Sequence, residues 1–189
     1  MATKVSSGLT LTTDYFMRNF YKDNRNAITA NGRNDYSKIE LSYEDSRALS
    51  RAARRMMAGD YSTEKDDEDI DDTTKSSIEA FVSTYNNALK TGDADDHDTK
   101  RYLRQLKSLS KKYEDELEDI GITIEKDGSL SINDELLKLA DVTKVGKVFS
   151  PENEFSKKAW NISKKLNEAV QNNIYTQVTG QGLHINITM

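Results

Sequence analysis

Apolar residues recur along most of this chain at intervals of three and four, the spacing that places them on one side of an α-helix. Tyr15, Phe16, Phe20 and Tyr21 form the first stripe, behind a candidate N-cap at Asp14. A second helix is expected over about 36–57, where Ala48, Leu49, Ala52, Ala53, Met56 and Met57 repeat and Arg47, Arg51, Arg54 and Arg55 lie around them, with Gly59 as the stop. A third covers about Thr73–Lys90, with Ile78, Phe81, Val82, Tyr85 and Leu89 in register and Gly92 at its end. A fourth covers about Thr99–Asp119, capped by Asp98 or Thr99. Tyr102, Leu106, Leu109, Tyr113 and Ile120 mark its seam, which Glu116 interrupts and the neighbouring Leu117 can complete. The short acidic turn Asp93–Asp98 joins the third and fourth helices, and their matched seams predict an antiparallel αα-hairpin. The last helix carries Phe155, Ala159, Ile162, Leu166, Val170 and Ile174. It should start from a Ser150 cap with Pro151 at its first position and run to about Val178.

The period changes to two in one place. Ile122-Thr123-Ile124-Glu125 and Leu130-Ser131-Ile132 alternate, and between them lies Lys126-Asp127-Gly128-Ser129. Asp127-Gly128 between alternating runs predicts a β-hairpin, because glycine accepts the positive φ that the turn needs. Ile122, Ile124, Leu130 and Ile132 should face the helices. Asn133 or Asp134 then caps a short helix with Leu136, Leu137 and Leu139, and Val145, Val148 and Phe149 come next.

The remaining stretches are polar. Residues 1–13 are rich in Ser and Thr, residues 24–35 are rich in Asn, and His184–Met189 reads as a short β-like tail. Residues 60–72 contain the acidic run Glu64–Asp72, which reads as a solvated linker. The chain thus divides into an N-terminal helical segment (1–59), an acidic linker (60–72) and a unit of helical hairpin, β-hairpin and C-terminal helical arm (73–189). The fold class is mainly α: an elongated helical bundle with a coiled-coil-like αα-hairpin and one small β-hairpin.

Composition supports that shape. Of the 189 residues only 35% are hydrophobic and 31% are charged, which suits an elongated bundle better than a compact globule. A single Pro leaves the helices few breakers. A net charge of -5 argues against nucleic acid as a partner, and no run of apolar residues approaches a membrane span. Met1–Leu11 lacks the apolar stretch of a secretory signal. The absence of Cys removes disulfides, a thiol nucleophile and thiolate metal sites.

Chemistry-bearing patterns are sparse. The Asp66–Asp72 run and the Asp93–Asp98 turn lack the mid-loop Gly and distal Glu of a calcium loop. His97 and His184 stand far apart, outside any ligand spacing, and no nucleophile elbow or phosphate-binding glycine loop occurs. The sequence therefore points away from an enzyme and predicts no metal and no cofactor. The arginines 47–55 could meet an acidic partner, although their interleaved Ala and Met also suit the rim of a buried helix. Trp160 stands beside the apolar stripe and is a candidate interface residue.

Three segments resemble the C-terminal helical part of the bacterial flagellar filament cap family, also called hook-associated protein 2, over about residues 81–180. Phe81-Val82-Ser83-Thr84-Tyr85-Asn86 is similar to that family's F-V-x-x-Y-N helix. Leu117-Glu118-Asp119-Ile120-Gly121-Ile122-Thr123 together with Asp127-Gly128-Ser129-Leu130 is similar to its hairpin. Val148-Phe149-Ser150 and the helix from Phe155 to Tyr175 resemble the family's next segment, which leads into its terminal coiled-coil arm. The N-terminal half matches poorly, and the family's large β-rich insertions have no counterpart here. The resemblance implies a structural protein of the flagellum that binds flagellin or other flagellar subunits, self-associates, and reaches the cell exterior by flagellar export. A cytosolic helical adaptor or export chaperone is the alternative.

The last helix carries a further expectation. Helices of about 20 residues span roughly 30 Å, so the αα-hairpin covers the stripe only from Phe155 to about Leu166. Val170 and Ile174 would then extend past it as an interaction arm, meeting either the aromatic helix around Phe16 and Phe20 or a second copy of the protein. The expected interaction residues are Phe155, Trp160, Ile162, Leu166, Val170 and Ile174, with Asp127 and Gly128 as the structural turn.

Overall fold

The computed structural model of the chain describes residue 33 and residues 36–61, 70–92 and 96–181. Its elements are α1 (Lys38–Met57), α2 (Asp72–Thr91), α3 (His97–Lys112), α4 (Glu114–Glu118), β1 (Ile122–Ile124), β2 (Leu130–Ile132), α5 (Asp134–Lys138), α6 (Val142–Phe149) and α7 (Glu154–Gln181). The described chain is mainly helical with one small antiparallel sheet. The aromatic stripe 15–21 and the tail 184–189 lie outside the described residues.

Local chemistry sets the helix starts. Ser37 and Glu40 form a capping box at the head of α1, each side chain bonding the other residue's backbone N–H. Asp71 accepts from the N–H groups of Thr73 and Thr74 and from the Thr74 hydroxyl. This corrects the expected linker at its C-terminal end: Asp71 caps α2, and Ile70 beside it is buried. Asp96, rather than Asp98 or Thr99, caps α3. The α7 cap is likewise not Ser150 but Asn153, whose carboxamide oxygen accepts from Phe155 N–H at 2.8 Å. Ser150 closes α6, a helix not expected from the sequence although Asp141 stands at its N-cap and Val142, Val145, Val148 and Phe149 share one face.

One apolar cluster runs from Tyr43 to Ile174, so α1 shares its core with α2 and α7. The backbone contacts correct the expected hairpin. Helix α1 packs most extensively on α2 and α7, and α3 packs on α7, whereas α2 and α3 are not close backbone neighbours despite their short connection. They meet through side chains, as where Ser110 Oγ lies 3.4 Å from the Tyr85 hydroxyl. The fourth expected helix is also broken: it stops at Lys112 and restarts as α4. The break turns the Tyr113 ring onto Phe155, centroids 5.4 Å apart, and lets Leu117 and Ile120 bury fully while Glu116 stays outside.

The hairpin forms at the expected segments, with Ile122 opposite Ile132 and Ile124 opposite Leu130. Ile122 and Leu130 are buried, and Ile124 and Ile132 pack at the edge of the core. Gly128 N–H donates to Glu125 O at 2.8 Å, and Gly128 has φ 84°. A side chain there would be strained by that φ, and its Cβ would sit 2.9 Å from Lys107. Asp127 fixes the turn by accepting from Ser129 N–H and the Ser129 hydroxyl, which holds the Asp127 carboxyl below its usual range.

In this register the N–H and C=O of Leu130 point away from β1. Asn86 on α2 takes both: its carboxamide nitrogen donates to Leu130 O at 2.7 Å and its oxygen accepts from Leu130 N–H at 2.8 Å. One side chain thus stands in for a third strand. The neighbouring Tyr85 hydroxyl donates to Gly128 O at 3.1 Å, and Lys107 Nζ donates to Asp127 O at 2.7 Å. Replacing Asn86 by Ala leaves both backbone groups without these partners beside a buried residue. We expect a loss of about 1–3 kcal/mol in urea unfolding.

Candidate interaction surface

The residues expected to form an interaction arm are mostly interior. Phe155, Leu166, Val170 and Ile174 are each no more than 2% exposed. Phe155 sits in a ring cluster with Phe81, Phe149 and Tyr113, with centroids 5.4–6.4 Å apart and mostly in the edge-to-face arrangement aromatic pairs favour. Helix α1 meets the rest of α7. Asn167 Nδ2 donates to Ser46 Oγ at 3.1 Å, while Trp160 lies by Arg54 and Met57, so the two helices run antiparallel. That direction carries Val170 and Ile174 toward the first half of α1, where Tyr43 belongs to the same core. The stripe is longer than the αα-hairpin would need because α1 lies along it. These four residues are core in this conformation. Ile162 and Trp160 are half-buried at the two edges of α7, and Asp127 and Gly128 hold the turn as expected.

One exposed cluster, on α1, is cationic. Arg51, Arg54 and Arg55 are exposed on α1 and Arg47 is half-buried, its guanidinium 6.0 Å from the Tyr43 ring centroid. Among the described residues, none of the four pairs with a carboxylate. Part of their role is local, because Arg54 and Arg55 stand in the last turn and face the negative end of the helix dipole. Arg54, Met57 and Ala58 also border a shallow notch of about 210 Å³ whose fourth wall is Trp160. The two features singled out in the sequence, the arginines and the tryptophan, therefore share one surface. Arg, Trp and Met are the residue types enriched at protein interfaces. Sequence reasoning missed the pairing because it depends on α1 and α7 lying side by side, more than a hundred positions apart.

Other titratable groups serve the fold. Buried Asp45 accepts from both terminal nitrogens of Arg33 at 2.8 and 2.7 Å and from Thr91 Oγ1 at 2.8 Å. Burial pushes the Tyr85 hydroxyl up to about 12, so it stays protonated as the donor to Gly128. His97 is exposed, and His184 lies outside the described residues. Among the described residues no group of three or more His, Asp or Glu could hold a metal ion, and no helix is long and apolar enough to cross a membrane. No protein-family model, no curated protein and no solved structure matches the chain.

This packing makes the stripe testable. Val170→Asp with Ile174→Asp should lower stability by on the order of 4 kcal/mol or more, because both carboxylates would enter the core. Melts over a wide range of protein concentration should show the same loss, whereas a loss confined to high concentration would restore the arm. A second expectation concerns Glu154, where Lys158 first, then Lys112 and Tyr113, hold the carboxyl at about 2. A depressed carboxyl stabilises the fold above its ordinary value of 4.5 and loses that contribution as pH falls toward 2. The stability difference between the protein and Glu154→Gln, measured by urea unfolding, should therefore shrink to nothing across that interval.

Proposed function

We propose that this chain is a structural, non-catalytic protein that binds other protein subunits, built like the helical part of a flagellar filament cap. The observation that carries the reading is that the three segments resembling that family pack on one another. The F-V-x-x-Y-N helix grips the hairpin through Tyr85 and Asn86. Its Phe81 stacks edge-on with Phe149 and Phe155 of the third segment, centroids 6.4 and 6.3 Å away.

Flagellin or another flagellar subunit is the partner this reading names, and the surface of Arg51, Arg54, Arg55 and Trp160 is where it would sit. Such a protein would act outside the cell, at the growing filament, and would work as an assembly of copies. A cytosolic adaptor or export chaperone would use the same surface before export.

The test is sedimentation of the purified chain with purified monomeric flagellin. A complex is expected, and Arg51→Glu with Arg54→Ala should weaken it severely at a melting midpoint close to that of the unaltered protein, since both side chains are exposed. If the two proteins sediment independently at tens of micromolar, the flagellar reading fails.

A further inference from the structure

Helices α2 and α3 are joined by a short connection, yet their backbones stand apart and only side chains bridge them. The space between them is an open groove of about 600 Å³, lined by Leu89, Lys90, Gly92, Lys100, Leu103, Arg104 and Lys107. We propose that this groove docks an acidic segment of a partner protein, one that carries Asp or Glu beside at least one apolar side chain. The inference rests on the groove alone and stands whether or not that partner belongs to a flagellum.

Charge supplies the first half of the case. Lys100, Arg104 and Lys107 recur at i, i+4 and i+7, so they line one side of α3, and Lys90 faces them from α2. No carboxylate lines the groove, and Lys90, Lys100 and Arg104 pair with none among the described residues. Lys107 donates to the carbonyl Asp127 O, with the Asp127 carboxylate close enough to feel its charge. The turn residues Asp93 and Asp95 lie outside the described residues. On a chain of net charge -5 this is a local concentration of positive potential, and it selects an anionic ligand.

Shape and lining supply the second half. Leu89 is partly exposed between the cations and Leu103 forms the buried floor beneath them, so a bare anion would leave the Leu89 side chain uncovered. Among the described residues no aromatic face lines the groove for bases to stack on, which disfavours a single-stranded nucleic acid. The groove is open rather than enclosed, which suits a segment of chain laid along it better than an engulfed small molecule.

The probe is a fluorescein-labelled peptide of repeating Glu-Glu-Leu, titrated against the intact chain by anisotropy. A Glu-only peptide and a short oligo(dT) serve as comparisons. Saturable binding of the Glu-Glu-Leu peptide is expected. Lys100→Glu with Arg104→Glu should weaken it by about tenfold, an effect that a uniform melting midpoint would separate from misfolding. The neutral pair Lys100→Gln with Arg104→Gln should weaken it in the same direction and replaces the reversal if that variant melts early. Backbone amide signals of Leu89, Gly92 and Leu103 should move most in a ¹⁵N spectrum. The proposal is overturned if the peptide does not bind saturably, or if the Glu-only peptide or the oligonucleotide binds equally well. It is also overturned if the variants bind undiminished, or if the shifts centre on Arg51–Arg55.

Discussion

A two-stranded hairpin has two open edges and too little core of its own to persist in water. Here one carboxamide resolves that difficulty: Asn86 closes the outer edge of β2 by bonding both backbone groups of Leu130. The bond works only if α2 is held at one height and rotation against the hairpin. Phe81, about one and a half turns earlier, sets that position by stacking with Phe149 and Phe155. The Tyr85 hydroxyl and Lys107 then hold the turn from two different helices. Edge closure, aromatic packing and the glycine turn are therefore interdependent, and the bundle around them takes its spacing from that arrangement.

That spacing also explains the groove. Helix α2 commits one end to the hairpin and its length to α1, while α3 leans on α7, so the two successive helices are drawn apart. The same arrangement places α1 along α7 and buries the stripe from Phe155 to Ile174. Outside that core, among the described residues, lie the two surfaces proposed for binding: the arginines beside Trp160 and the cationic groove. Neither offers converging groups for catalysis. Both offer uncompensated positive charge beside apolar side chains, which suits recognition of another protein.

Local signals in the sequence carried far. The alternation at Ile122–Ile132 and the Asp127-Gly128 turn are short-range, and the hairpin forms as expected from them. The helical stripes were equally legible because a period of three and four is written within one turn or two. Long-range partners were not legible. Nothing in residues 36–57 says which side of α7 they cover, so the buried Val170 and Ile174 read as a projecting arm. The break at Tyr113 depends on where Phe155 arrives, and heptad counting cannot see that. Asp71 and Ile70 were absorbed into an acidic run because composition averaged over them; a cap search at that position, with Thr73 and Thr74 next in the chain, finds the start of α2. Within the candidate sites, Arg54 and Trp160 were each visible, and their adjacency was not. The groove has no sequence signature at all, since it lies between two helices whose backbones stand apart and which meet only through side chains.

The most direct measurement of the central claim is amide hydrogen exchange at Leu130. Its N–H points away from the β1 ladder, so in a free hairpin it would exchange as quickly as an exposed loop amide. If Asn86 closes that edge, Leu130 should exchange as slowly as the interior amides of α2, and Asn86→Ala should release it while those amides remain protected. Fast exchange at Leu130 in the unaltered protein would contradict the account.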